Sequence, residues 1–123
     1  MKQRMIVCLA ALSMACASSG GRTAGNSDVI RAEELVTVRV STAYEIVERL
    51  RPAFLRGRGQ TSLSSDSQFP VVYVDGMRQG GLDSLRRVAA QDVGEIRYLT
   101  ARDATTRYGT GHPAGVIEVV TRR

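Results

Sequence analysis

Tryptophan is absent from this 123-residue chain, histidine and lysine occur once each, and cysteine occurs twice. Each scarcity removes a class of function. A lone His112 with two cysteines and scattered carboxylates offers no ligand spacing for zinc, and the aspartates form no calcium loop. With no G-x-S-x-G segment for it to serve, His112 reads as a loop histidine without a catalytic role. Asp75 followed by Gly76 is a turn signal before it is a catalytic acid. Gly109-Thr110-Gly111 follows a helical segment and opens a strand, the reverse of a phosphate-binding glycine loop. No catalytic, cofactor-binding or metal-binding residue is therefore expected, and the chain reads as non-enzymatic. No apolar run reaches the ~20 residues of a spanning helix. Nor do 123 residues hold a large outer-membrane barrel, whose ~22 strands of ~10 residues would need well over this length.

What is present begins with an export pattern. Lys2 and Arg4 make a short basic region, and Met5 to Leu12 an apolar stretch of signal-peptide length. Two cleavage readings stay open. Ala15 before Cys16 is similar to a bacterial lipoprotein signal, in which the Cys16 thiol carries the lipid; Ala15-Cys16-Ala17 is also an A-x-A site, with cleavage after Ala17. The small polar run Ser18-Ser19-Gly20-Gly21 suits a tether and favours the first. With Cys8 in the signal, Cys16 is the one cysteine of the mature chain, so no intramolecular disulfide can form. Losing Lys2 and Arg4 lowers the formal charge from +5 to +3, too mild for a nucleic-acid footprint. The expected organisation is a signal peptide over 1–15, a flexible linker over 16–28 and a folded domain over 29–123.

Within that domain, Val29-Ile30 suits a short strand, and Arg31 to Val40 is open between a helical turn and extended chain. Thr42 with Glu45 three residues on forms a capping box ahead of Ala43, Ile46, Val47 and Leu50 at helical spacing, and Pro52 ends the helix. Residues 56–67 read as a solvated loop despite their Arg-Gly alternation. Val71-Val72-Tyr73-Val74 is a buried strand stopped at Asp75-Gly76. Leu82, Leu85, Val88 and Ala89 predict a helix of about two turns. Residues 95–99 predict a strand, Thr100 caps a helix carrying Ala104 and Tyr108, and Gly109 ends it. The last strand, over 116–121, has Ile117 and Val119 inward and Glu118 outward. The expected class is α+β: a small mixed sheet of three to four strands covered by two to three helices.

The C-terminal residues carry a resemblance. Val72-Tyr73-Val74-Asp75-Gly76, then Asp92-Val93 leading into Glu95-Ile96, then Ala104 and Tyr108-Gly109, then Gly115-Val116-Ile117-Glu118-Val119-Val120-Thr121-Arg122 resemble, in order and spacing, the plug domain of TonB-dependent outer-membrane receptors. The likeness covers about residues 70–123 and marks Asp75, Gly76, Tyr108, Gly109 and Gly115 as motif positions. It implies a plug-like fold and an envelope setting, and no cofactor. In full receptors the plug fills a barrel; this chain stops at Arg123, so it is expected to lack a barrel of its own. Glu34-Leu35-Val36-Thr37-Val38 is a short extended candidate for a TonB box, which a structural strand explains equally well. The reading that follows is a lipid-anchored, periplasm-facing lipoprotein of the outer membrane, a binding or transport-accessory module. Its expected partner is an outer-membrane transporter or TonB-type envelope protein, met through a sheet edge or the loops 57–69 and 109–115. The alternative is a soluble, stand-alone structural domain of the periplasm.

Overall fold

The computed structural model describes residues 28–57 and 68–123. The expected export signal, Cys16, most of the expected linker and residues 58–67 of the loop lie outside them.

Five strands form one mixed sheet: β1 (Val29–Ile30), β2 (Val71–Val74), β3 (Met77–Gly80), β4 (Val93–Leu99) and β5 (Val116–Thr121). They lie side by side as β1-β4-β5-β2-β3, with β5 parallel to β2 and every other pair antiparallel. Helices α1 (Ala32–Leu35), α2 (Ala43–Leu50) and α3 (Ala101–Tyr108) are joined by 3₁₀ turns at Pro52–Leu55, Leu82–Arg87 and Ala90–Asp92. The α+β class is as expected, with five strands in place of three or four.

Strand alternation sorts the core into two faces. On one, Ile96, Ile117, Val119, Val72 and Ile30 pack against Ile46 and Val47 of α2 and against Leu85. On the other, Val116 and Tyr73 pack under Ala104 of α3. Because both faces are covered, Val116, Ile117, Glu118 and Val119 of central β5 are all buried. Glu118 is therefore not the outward residue that its sequence phase suggested. It does point away from Ile117 and Val119, but into the second layer.

Local chemistry fixes the helix ends. Thr42 Oγ1 accepts from the Glu45 N–H at 3.3 Å, while the Glu45 carboxylate accepts from the Ser41 N–H at 3.0 Å, one residue before the cap. Arg51 leaves the helical region ahead of Pro52, as the residue before a proline tends to do. The Ala43 N–H donates to Val88 and the Ala90 N–H to Ser41, both at 2.9 Å, tying the start of α2 to the chain that enters β4. At α3, Thr100 Oγ1 accepts from the Asp103 N–H, and Gly109 closes the helix at φ 87°.

Two segments depart from expectation, and a third resolves an open one. Residues 77–80 pair with β2 as β3, although Met-Arg-Gln-Gly has no strand pattern; the turn before them imposes the pairing. Residues 82–87 form a 3₁₀ helix and not an α-helix over 82–89, since Val88 is already extended at φ −92°, ψ 118°. Of the two readings open for 31–40, the structure has the helical turn: Glu34 and Leu35 close α1, whose Leu35 is buried, and a turn follows, so 34–38 is not the extended TonB-box candidate.

Candidate functional site

Asp75 and Gly76 sit at φ 48° and 83°, the left-handed pair that a two-residue type I′ hairpin requires. Asp-Gly suits it because aspartate tolerates that region and glycine occupies it freely. The Asp75 carboxylate accepts from the Thr121 hydroxyl at 2.6 Å and the Thr121 N–H at 2.9 Å, and the Asp75 N–H donates to the Val119 carbonyl. The hairpin tip is thus clasped to the end of its parallel neighbour. Those two bonds from Thr121, with the charge of Arg123 adding, hold the Asp75 carboxyl below its ordinary pKa.

The other motif positions converge on the α3 face. The Tyr108 hydroxyl donates to Glu118 Oε1 at 2.6 Å, and Arg107 reaches the same oxygen at 2.9 Å. Tyr108 also stacks on Tyr73, with ring centroids 4.0 Å apart. Burial, then the hydrogen bond to Glu118 and its charge, raise the Tyr108 pKa against the opposing pull of Arg107. Glu118 is 3 % exposed, and its Oε2 has no partner among the described residues.

Behind this pair lies His112, also buried. Its Nδ1 stands 3.1 Å from the Gly109 carbonyl, which can only accept, so Nδ1 carries the proton. Nε2 is then the acceptor for the Tyr73 hydroxyl at 3.0 Å. Gly115 completes the turn: its N–H donates to the His112 carbonyl, and its own carbonyl accepts from the Val71 N–H at the start of β2. The Tyr98 hydroxyl closes the far side on the Ala114 carbonyl at 2.9 Å. At φ 88°, a Cβ on residue 115 would collide with the Leu99 carbonyl oxygen.

Tyr108, Gly109 and Gly115 are thus brought together, whereas Asp75 and Gly76 stand at the hairpin tip. The arrangement binds α3 and the loop 109–115 to the sheet, and both imidazole nitrogens are spent in doing so. Sequence reasoning missed Tyr73, Arg107 and Glu118 as members. A signal was available: Ala104 and Tyr108 share a helical face, and that face needs a sheet surface to cover, so both sides of β5 had to be buried. Cys16 lies outside the described residues. Among those residues no group of three His, Cys, Asp or Glu side chains could hold a metal, and no helix is long and apolar enough to cross a membrane.

Outside this cluster a groove of about 570 Å³ opens between Phe69-Pro70-Val71 and the corner Gly80-Gly81-Leu82, beside the outer edge of β3, which pairs with no other strand among the described residues. No protein-family model matches the chain, nor does any curated protein or solved structure.

Proposed function

We propose that the protein is a non-enzymatic exported lipoprotein whose domain resembles the plug of TonB-dependent receptors and acts as a binding or accessory module of the outer-membrane and periplasmic envelope. A lipid on Cys16 anchors it, and an outer-membrane transporter or TonB-type protein is its partner. The observation that carries the binding role is the sheet edge at β3, which has no neighbouring strand on its outer side among the described residues and has an apolar-floored groove at its Gly80 end. An edge of this kind can accept an added strand. The non-enzymatic reading is supported by the hydrogen bonds within the fold that take up both His112 ring nitrogens and the Tyr108 hydroxyl. In the loop 109–115, His112, Ala114 and Gly115 are drawn into the fold, while Gly109, Thr110, Gly111 and Pro113 stay exposed.

A second reading has its own observation. β3 is only four residues long and bears Arg78, and the pairing shifts by one residue between Val72 and Tyr73, a bulge that leaves Gln79 unpaired. Short length, charge and bulges are how proteins keep edges from pairing. They favour a stand-alone structural domain. Crosslinking the full chain in intact envelopes separates the two: one transporter or TonB-type protein recovered with it supports the module, and self-contacts alone overturn it. Palmitate label entering the wild type but not Cys16→Ser is the expected result for the anchor. A mature N-terminus at Ser18 overturns it.

A further inference from the structure

Gly81 has an ordinary extended backbone, φ −81° and ψ −173°, which any residue adopts. A Cβ built there meets nothing within 4 Å, so neither backbone strain nor packing calls for glycine. Yet Gly81 lines the groove beside β3, where a side chain would take up space. The floor is apolar, made by Phe69, Pro70, Val71 and Leu82, and Phe69 stays 48 % exposed. Of the two charged residues at the lip, Asp83 already has Arg86 at 3.8 Å. Arg78 has no ion-pair or hydrogen-bond partner among the described residues.

The geometry points to this groove as the seat of an extended segment of a partner protein, one large apolar side chain entering over Gly81 and an acidic side chain pairing with Arg78. The inference rests on the binding reading above and names what that surface takes. Two features select an extended peptide. The groove lies at the end of a strand edge that is unpaired among the described residues, so a strand laid along β3 continues into it, and main-chain bonds then add to the pocketed side chain. Because β3 is short and bulged, the edge alone holds little, and the buried anchor must supply most of the affinity. The unpaired cation supplies the charge preference.

A random linear dodecapeptide display library, panned on the purified protein, tests this. Enriched peptides are expected to share a large apolar residue with Asp or Glu within about two positions, and no proline across that stretch. Synthetic copies should bind Gly81→Leu at least tenfold more weakly, and selection on Arg78→Glu should replace the acid with Lys or Arg. Both variants leave the core untouched, and unchanged melting temperatures confirm it. Absence of enrichment, or equal binding to wild type and Gly81→Leu, overturns the proposal. A concentration-dependent dimer that Gly81→Leu disperses also overturns it, with a second copy as the occupant. If envelope crosslinking still recovers one partner, equally with Gly81→Leu, the binding reading stands and the groove does not.

Discussion

A methyl group at residue 115 would meet the Leu99 carbonyl oxygen and stand 2.8 Å from Tyr98 Oη, on a backbone already at φ 88°. Gly115→Ala should therefore cost about 3 kcal/mol or more, read as a fall in urea midpoint, because strain and collision add. Gly109→Ala has the same kind of φ but open space around it, and should cost about 1 kcal/mol. Glu118 behaves differently from a surface carboxylate. Glu118→Ala should destabilise by about 1–2 kcal/mol, since the Tyr108 hydroxyl loses its acceptor while half-exposed Arg107 turns to water. Near-wild-type stability would mean that the Tyr108–Glu118 bond contributes nothing. The glycines at 76 and 109 were readable one at a time, because turn and cap chemistry is local. The burial of Glu118 was not, since it depends on what a helix ten residues away covers.

At the level of elements, capping was the most legible property. Thr42 and Thr100 each accept the N–H three residues on, and Thr100→Ala should cost about 1 kcal/mol and loosen α3 first, seen as faster amide exchange at residues 101–104. Strand β3 was the least legible. Its side chains do not prefer a strand; the type I′ turn at Asp75-Gly76 aims the chain back along β2, and pairing follows from geometry. The same Asp-Gly that signalled a stop was thus also the signal for a return. The segment 82–87 fell between the readings: its leucines have helical spacing, but the extended residues at 88 and 89 pair with the start of α2, leaving no length for an α-helix.

For the whole molecule, Ile117→Asp should abolish folding, since it sets an unpaired charge among the fully buried side chains of the central strand. Two groups set pH limits. The Asp75 pKa is lowered by folding, so its support is complete above 3.8 and fades as pH falls through the lowered value; the stability gap between wild type and Asp75→Asn should close below about pH 4. The Tyr108 pKa is raised, so its support is complete below 10.0 and is lost as pH rises beyond; the gap to Tyr108→Phe should close above about pH 10. Thermal melts across pH check both. The sheet order has a kinetic consequence. Without β5, the strands are two separate ribbons, β1 with β4 and β2 with β3, and an isolated two-stranded ribbon is marginal in water. Since β5 follows every strand it joins, the chain has no stable partial sheet until residues 116–121 dock, which requires closing the long loop from β2. Folding is then all-or-none and late, because the last strand in the chain is the central one in the sheet.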